Sequence, residues 1–358
     1  MKRKAKIGMI GVGFIGQLAH LMNYLENEDC EVVAIADFRS ELRHKVAIRY
    51  DIPRSYATHH ELLADNEVEA VCVVTARPYT APTVLDCLKA GKHVISEKPM
   101  AGNFDQASQL VRTARENNVN YVVGFMKRYD EGVQKAKEIF DKALSTSEMG
   151  KLIYARSHCF AGDSYCNPWG HIVTDEKTEY PDSGWDMAPK WLPQCWRDKF
   201  QIYLNTYSHN INILRFFFDK SPKIVSSNVS RVNGQIVVLD WGDCLGVIET
   251  GMASNRGWDE VTEFFFTDGR ITIKTPPALL RNTPATIEIY RAGETQELQV
   301  PQTNWTWAFQ LQANAFVDCL IKGDESITTG LDSIEDMRVI EEIWRQDPKI
   351  NQTVISGE

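Results

Sequence analysis

The stretch Lys6-Ile-Gly-Met-Ile-Gly11-Val-Gly-Phe-Ile-Gly16 decides the fold. Its apolar part, Lys6–Ile10, predicts a β-strand, and helical periodicity over Phe14–Leu25 predicts a helix directly after it. The glycines between them match GxGxxG, which is a weak motif alone and a strong one between a strand and a helix. An acidic residue, Asp37, also ends the next apolar run, 21 residues after Gly16. This context predicts a dinucleotide-binding turn, against the alternative of a tight glycine turn without a ligand.

The residue types in this turn suit contact with a pyrophosphate. Gly11 permits the tight bend, Gly13 removes a side chain where the backbone approaches the phosphates, and Gly16 lets the helix pack closely on the strand. Free N–H groups at the start of the helix, around Phe14 and Ile15, are donors for phosphate oxygens. The turn is therefore predicted to bind the cofactor mainly through its backbone.

Two charged residues after the second strand bear on the choice of cofactor. Asp37 can accept hydrogen bonds from the adenosine ribose hydroxyls, and its charge repels a 2′-phosphate. Arg39 has the opposite preference, because a guanidinium binds a 2′-phosphate. We expect NAD as the cofactor, with NADP as the less favoured alternative.

The first third of the chain alternates short apolar strands with helices of about 10–15 residues, a pattern typical of a parallel sheet covered on both faces. Residues 1–123 are therefore predicted to form an α/β domain of the Rossmann type, a doubly wound parallel sheet. After Lys6–Ile10, its predicted strands are Val32–Ala36, Ala70–Val74, His93–Ser96 and Tyr121–Val123.

The remaining residues, 124–358, are predicted to form an α+β domain for substrate binding and oligomerisation. Strand-like runs separated by turn signals, such as Asp268-Gly269, predict a large, open, mostly antiparallel sheet with helices on one face. The loop 161–200 is long and rich in tryptophan, and we expect it to wall a substrate pocket.

The composition excludes several classes of protein. The 358 residues carry a net charge of -9, which argues against binding to nucleic acid or to an anionic membrane. We expect a cytoplasmic protein, because the sequence has no recognisable membrane span or signal peptide and its eight cysteines form no CxxC pair. The group His158, Cys159, Cys166 and His171 fits no standard zinc spacing, so no metal site is predicted.

A lysine lies at the carboxyl end of a predicted strand, where ligands bind in open α/β sheets. It is the middle residue of Glu97-Lys98-Pro99, directly after His93–Ser96. A partly desolvated lysine beside a nicotinamide can donate to a substrate hydroxyl, or take its proton if the lysine pKa falls. The alternative is an exposed lysine in a turn before proline.

A second group of polar residues lies on a predicted helix, Leu204–Phe218. Asn205, His209 and Asn212 are spaced i, i+4 and i+7, which places them in one stripe. Such a stripe on a buried helix needs hydrogen-bond partners, and a substrate rich in hydroxyls provides them. The alternative is that Asn205 caps the helix and His209 is an ordinary surface histidine.

These features together resemble the Gfo/Idh/MocA family of NAD(P)-dependent sugar and cyclitol oxidoreductases. The resemblance covers nearly the whole chain. Besides the glycine turn with Asp37 and the His209 helix, it rests on Ala90-Gly-Lys-His-Val-Ile-Ser-Glu-Lys-Pro-Met100, Val123-Gly-Phe-Met-Lys-Arg-Tyr-Asp130 and Gly330-Leu-Asp332.

The resemblance implies roles for particular residues. Lys98 would contact both substrate and nicotinamide, with Glu97 and Thr75 beside the cofactor. His209 would be the acid/base or substrate-orienting histidine, and Arg128 would line the substrate site. The family's open sheet often forms a dimer face, so a homodimer or homotetramer is expected.

The chain also departs from the family pattern. Many members have Asp four residues before the histidine, where this chain has Asn205. Asp raises a histidine pKa, whereas Asn can only form a hydrogen bond, so Lys98 or Tyr207 would carry the proton instead. The family's Thr-Pro pair is represented by Thr75-Ala76, and the family's frequent cis bond is expected before Pro99.

The expected reaction is hydride transfer between a nicotinamide and a secondary alcohol or ketone of a sugar, nucleotide sugar or cyclitol. Two alternatives remain open. One is NAD-dependent glycoside cleavage by transient oxidation and elimination. The other is a dinucleotide-binding regulator without turnover.

Overall fold

The computed structural model describes residues 3–163, 166, 168–177, 182–253 and 257–356. The chain forms two compact units. The first comprises Met1–Phe125, Asn167–Met187 and Phe309–Ile334, and the second comprises Met126–Cys166, Ala188–Ala308 and Glu335–Glu358.

Two segments that follow residue 123, Asn167–Met187 and Phe309–Ile334, belong to the first unit, whereas the sequence predicts a single boundary after residue 123. The physical reason is burial of apolar side chains. Phe316 and Val317 are each 1% exposed in a core that contains Ile7 and Met9, and Ile172 packs against the same core. A segment whose apolar residues are buried in a core becomes part of the unit that holds that core.

A six-stranded sheet forms the centre of the first unit. Its strands are β1 (Ala5–Ile10), β2 (Cys30–Ala36), β3 (Arg54–Tyr56), β4 (Ala70–Val73), β5 (His93–Ser96) and β6 (Tyr121–Val123). Their order is β3-β2-β1-β4-β5-β6, and every neighbouring pair is parallel. This is the strand order of a dinucleotide-binding sheet, and it confirms the predicted fold class.

Both units contain helices, and most of these helices lie where the sequence predicts them. In chain order they are a π-helical turn Gly16–Leu21, α1 (Met22–Leu25), α2 (Ser40–Arg49), α3 (His59–Leu63), α4 (Arg77–Lys89), α5 (Phe104–Glu116), a 3₁₀ turn Met126–Tyr129, α6 (Glu131–Thr146), α7 (Gln194–Phe218), α8 (Ala308–Ile321), α9 (Gly330–Arg345) and α10 (Pro348–Ser356). Among the described residues, no helix is long and apolar enough to cross a membrane.

Helix α7 begins ten residues before its predicted start at Leu204, with Pro193 as its N-cap residue. Proline is tolerated there because the N–H groups of the first turn have no partner within the helix. Asn205 therefore lies in the interior of α7, and the alternative that it caps the helix is wrong.

The second unit is built on an eight-stranded sheet. Its strands are β7 (Leu152–Ala161), β8 (Lys223–Asn228), β9 (Gln235–Asp240), β10 (Leu245–Met252), β11 (Asp259–Phe266), β12 (Gly269–Lys274), β13 (Thr286–Arg291) and β14 (Glu297–Gln299). Their order is β14-β13-β12-β11-β7-β10-β9-β8, and among these strands the pair β7–β10 is parallel while the other pairs are antiparallel. The predicted mostly antiparallel sheet is confirmed.

Helices α6 and α7 cover one face of this sheet with aromatic side chains. The ring centroids of Phe140 and Phe264 are 4.5 Å apart, and those of Phe217 and Phe264 are 4.6 Å apart. All three side chains are at most 1% exposed. Burial of these rings holds the two helices on the sheet.

The glycine turn after β1 depends on close backbone contacts. A Cβ at Gly11 would lie 2.2 Å from the carbonyl oxygen of Val74, and the residue has a φ of +89°. A Cβ at Gly16 would lie 2.3 Å from the carbonyl oxygen of Gly11. No other residue type fits either position without movement of the backbone.

We expect Gly11→Ala to lower the thermal unfolding midpoint much more than Gly91→Ala. Both glycines have positive φ, +89° and +71°, but an added Cβ has no atom within 4 Å at Gly91. The left-handed conformation alone costs about 1–2 kcal/mol, so the difference between the variants isolates the clash with Val74. Thermal unfolding followed by circular dichroism measures this difference, and equal midpoints would contradict the close approach.

Candidate active site

The turns that follow β1, β4 and β5 lie side by side at one edge of the parallel sheet. The N–H of Val74 donates to the carbonyl of Ile10 at 2.8 Å, and the N–H of Glu97 donates to the carbonyl of Val73 at 3.0 Å. These bonds continue the ladder beyond the strands, so the glycine turn and the Glu97 turn share an edge with the turn between them. Ligands of open α/β sheets bind at this edge.

Asp37 and Arg39 are held together beside the glycine turn. The buried Asp37 carboxylate accepts hydrogen bonds from the N–H of Val12 at 3.0 Å and from the Arg39 guanidinium at 2.9 and 2.7 Å. One guanidinium nitrogen lies 3.2 Å from the position that a Cβ of Gly13 would occupy. The predicted cofactor residues Gly13, Asp37 and Arg39 thus lie close together, with Val12 between Gly13 and the Asp37 carboxylate in the hydrogen-bond network.

A dinucleotide fits this part of the first unit on two observations. The backbone at Gly11 and Gly16 packs so closely on neighbouring carbonyl groups that neither position has room for a side chain, and the N–H groups that follow belong to a helix N-terminus. The Asp37 carboxylate lies directly after β2, where an acidic residue can accept hydrogen bonds from the ribose hydroxyls.

Lys98 follows a buried ion pair. The Nε2 atom of His20 lies 2.7 Å from Oε1 of Glu97, and the N–H of Lys98 donates to Oε2 of the same carboxylate at 3.2 Å. The Sγ atom of Cys72 is 3.6 Å from Nδ1 of His20. The peptide bond between Lys98 and Pro99 is cis, as the resemblance implies.

The environment of this pair favours its charged form. Burial lowers the pKa of His20, but Cys72 and Glu97 raise it by more, to about 10. Burial raises the pKa of Glu97, whereas His20 and Lys98 lower it below its ordinary value. At neutral pH the pair is therefore an imidazolium and a carboxylate directly beside Lys98.

The other predicted cofactor residues have local contacts of their own. The hydroxyl of Thr75 lies 3.2 Å from that of Thr80. Phe14 is in edge-to-face contact with His171, with ring centroids 4.9 Å apart. Ile15 precedes the π-helical turn with a helical backbone, so the helix begins directly at the glycine turn.

In the second unit, two of the predicted substrate residues bind each other. The side-chain oxygen of Asn212 accepts from Nε of Arg128 at 2.8 Å, and the Asn212 amide nitrogen donates to the Asp336 carboxylate at 2.7 Å. Arg215 completes the network with a 2.7 Å bond to Asp336. All four residues are buried. This geometry favours a role in positioning α7 for Asn212 and Arg128.

His209 and Asn205 lie one and two turns before Asn212 on α7. The His209 side chain is buried, whereas Asn205 is partly exposed. Tyr207 is buried on the same helix, and burial raises the pKa of its hydroxyl well above the ordinary value. The raised pKa favours the protonated form of the Tyr207 hydroxyl.

Sequence reasoning missed a second buried ion pair. Lys127 binds both carboxylate oxygens of Glu260, and its ammonium lies 5.7 Å from the centre of the Trp258 ring. Lys127 precedes Arg128 in the motif Val123–Asp130, so the sequence offers a reason to consider it as a candidate site residue. Glu260 is 133 residues away, and nothing in the sequence links the two.

Comparisons with known proteins agree with this architecture. Residues 5–125 match the family model described as "Oxidoreductase family, NAD-binding Rossmann fold". The chain is 26% identical to myo-inositol 2-dehydrogenase of Thermotoga maritima over 74% of each protein. It is 22% identical to scyllo-inositol 2-dehydrogenase (NAD(+)) of Bacillus subtilis, over 95% of this chain and 93% of that protein.

A solved structure extends the match to the whole fold. The structure of a 3-ketoreductase from Actinomadura kijaniata with NADP and TDP-benzene has a TM-score of 0.74 and 19% identity, covering 96% of this chain and 98% of that one. At this identity the likeness shows the fold alone. Matches to three further curated relatives are shorter and cover between 41% and 44% of those proteins.

The glycine turn and the carboxylate after β2 are typical of a dinucleotide-binding domain, and the family model that matches this domain is that of an NAD-binding oxidoreductase. Residues 5–125 match the model of the Gfo/Idh/MocA oxidoreductase family. The assignment that the sequence motifs support is thereby confirmed, as are the expectations of an enzyme and of an NAD-binding fold.

Because the ion pair of His20 and Glu97 needs a protonated imidazole, it stabilises the folded protein less as the pH rises. Its pKa rises from 6.5 to about 10 on folding, so its contribution is complete below pH 6.5 and is lost as the pH rises towards 10. We expect His20→Asn to reduce the free energy of unfolding most below pH 6.5 and least near pH 10.

Urea unfolding at a series of pH values measures this difference. His44→Asn, which removes an exposed imidazole from α2, is the matched control and should show no such trend. A cost of His20→Asn that stays constant from pH 6.5 to pH 10 would contradict the charged pair.

Proposed function

We propose that this chain oxidises a secondary hydroxyl of a cyclitol or sugar with NAD, or catalyses the reverse reduction. The observation that carries the proposal is the placement of Lys98, directly after β5 and on the same sheet edge as the glycine turn. Two relatives that match along much of the chain are named inositol 2-dehydrogenases, which favours a cyclitol over a nucleotide sugar as the substrate class.

The first unit supplies the cofactor site in this proposal. The backbone at Gly11, Gly13 and Gly16 approaches the pyrophosphate, with N–H donors at Phe14 and Ile15. Asp37 accepts from the ribose hydroxyls, while Arg39, Thr75 and Glu97 surround the cofactor. NAD, when bound, supplies the nicotinamide that accepts or donates the hydride.

Lys98 is proposed to orient the reacting hydroxyl and to move its proton. The charges of the Glu97 carboxylate and the Lys98 ammonium attract each other, and His20 holds that carboxylate in place. In the oxidation the neutral amine of Lys98 accepts the hydroxyl proton, and in the reduction the ammonium donates a proton to the carbonyl oxygen of the substrate.

His209 is proposed as a substrate-orienting residue that assists the proton transfer. Asn205 stands where many members of the resembled family have Asp, and an amide carries no charge that could stabilise an imidazolium. Lys98 therefore carries the main acid/base role. Arg128 and Asn212 support the substrate site by fixing α7 through Asp336.

We expect Lys98→Met to reduce kcat by about 100-fold or more, because removal of a general acid or base commonly costs that much. The NAD affinity should stay within about twofold of the wild-type value, since the lysine is placed at the reacting end of the cofactor. NADH absorbance with a series of cyclitols and sugars gives the rate, and calorimetry gives the affinity.

Lys89→Met is the matched control, because Lys89 is an exposed residue at the end of α4. It should retain full activity. Near-normal turnover by Lys98→Met with unchanged NAD affinity would contradict the assignment. Glycoside cleavage without net NADH formation, or NAD binding without any turnover, would instead support one of the two alternative functions.

A cytoplasmic homo-oligomer is part of the proposal. All eight cysteines are free thiols, which suits a reducing compartment. The face of the second sheet opposite α6 and α7 exposes apolar side chains at Tyr154, Phe160, Ile236 and Leu245. An apolar patch on an open sheet is typical of a contact between subunits.

We expect light scattering coupled to gel filtration to give a dimer or tetramer of the 40.7 kDa chain. Leu245→Glu should shift the mass towards the monomer, because it puts a charge into the apolar patch. Ile48→Glu, at an exposed residue of α2, is the control and should leave the mass unchanged. A monomeric wild-type protein would contradict this part of the proposal.

A further inference from the structure

Part of the predicted substrate loop packs on the dinucleotide-binding unit. Residues 164, 165, 167 and 178–181 of loop 161–200 lie outside the described residues, but 168–177 are described. The N–H of Ile172 donates to the side-chain oxygen of Gln17 at 2.7 Å, and the Gln17 amide nitrogen donates to the Ile172 carbonyl at 3.0 Å. Gln17 is 1% exposed and lies one residue beyond the glycine turn. This two-way bond fixes the segment beside that turn.

The same segment places a carboxylate at the N-terminus of α2. The two oxygens of Glu176 accept hydrogen bonds from the N–H groups of Glu41 and Leu42, each at 2.9 Å. The hydroxyl of Thr174 donates to the same carboxylate at 3.0 Å. Glu176 thus occupies the donors that α2 offers to an anion.

These donors lie where a 2′-phosphate would be bound. Helix α2 begins at Ser40, three residues after Asp37, and in this fold the residues after the second strand read the ribose 2′ position. A phosphate there is bound by a nearby arginine and by free N–H groups at a helix N-terminus. In this chain the Arg39 guanidinium donates two hydrogen bonds to Asp37, and Glu176 accepts hydrogen bonds from the N–H groups of Glu41 and Leu42.

The charge on Glu176 is maintained by its contacts. Desolvation raises the pKa of Glu176, but the N–H groups of Glu41 and Leu42 lower it by more, and the pKa lies below its ordinary value. A 2′-phosphate would therefore meet two carboxylates, those of Asp37 and Glu176. It would also have to displace one of them from its hydrogen bonds.

We propose that Glu176 is a specificity-determining residue that excludes the 2′-phosphate of NADP. This inference rests on the proposed function in one respect, that the glycine turn binds a dinucleotide. It does not depend on the substrate or on turnover. Binding of NADP requires Glu176 to leave α2, whereas binding of NAD does not.

The test compares wild type with Glu176→Gln, using 5′-ADP and 2′,5′-ADP as probes in calorimetry with the full chain. The neutral amide removes the charge and keeps one oxygen, so it retains one of the two hydrogen bonds from the backbone of α2. We expect the affinity for 2′,5′-ADP to rise about tenfold, equivalent to about 1.4 kcal/mol, and that for 5′-ADP to change by less than about twofold. Titrations with NAD and NADP should show the same change in ratio.

Asp175→Asn is the matched control, because it removes the same charge from the exposed neighbouring residue. It should leave the ratio of the two affinities unchanged. Glu176→Ala removes the hydrogen bonds as well, and its thermal midpoint reports how much the carboxylate stabilises α2.

An unchanged affinity ratio in Glu176→Gln would overturn the inference and leave Glu176 as a helix cap. Failure of the inference about Glu176 is distinguishable from failure of the proposed function. Wild-type NADH formation that depends on Lys98, together with an unchanged ratio, contradicts the role of Glu176 alone. A changed ratio in a chain that oxidises no cyclitol or sugar supports Glu176 and contradicts the proposed reaction.

Discussion

The structure of the cofactor site depends on the close approach of Gly11 to the carbonyl of Val74. The backbone turn after β1 lies against the turn after β4 with no room for a Cβ at that point. The start of the first helix is fixed by this contact, and the N–H of Val12 reaches the Asp37 carboxylate at the end of β2. A side chain at Gly11 would push the turn after β1 away from the turn after β4. The N–H donors of the first helix and the Asp37 carboxylate therefore both depend on the absence of a side chain at Gly11.

Much of the first unit could be predicted from the sequence because its signals are local. The apolar strands and the glycine turn each occupy a few consecutive residues, and the strand His93–Ser96 has the predicted bounds. The contacts that surround the turn are different in kind. His20 and Glu97 are 77 residues apart, and Glu176 and Glu41 are 135 apart. No periodicity indicates such pairs, because their partners meet only after the sheet has formed.

The second unit shows what a local sequence pattern leaves open. The i, i+4, i+7 spacing correctly places Asn205, His209 and Asn212 along one helix, but it does not say what each side chain contacts. Asn212 binds Arg128 and Asp336, and Asp336 lies 124 residues further along the chain. Polar residues on a buried helix need partners, and a distant carboxylate satisfies that need as well as a substrate does.

We propose the edge formed by the turns after β1, β4 and β5 as the reaction site of an NAD-dependent cyclitol or sugar oxidoreductase. A crystal structure of the full chain with NAD and myo-inositol tests this claim most directly. The account predicts ribose hydroxyls on the carboxylate of Asp37 and the ammonium of Lys98 within hydrogen-bond distance of a ring hydroxyl. A dinucleotide bound away from the glycine turn, or a cyclitol without contact to Lys98, would contradict it.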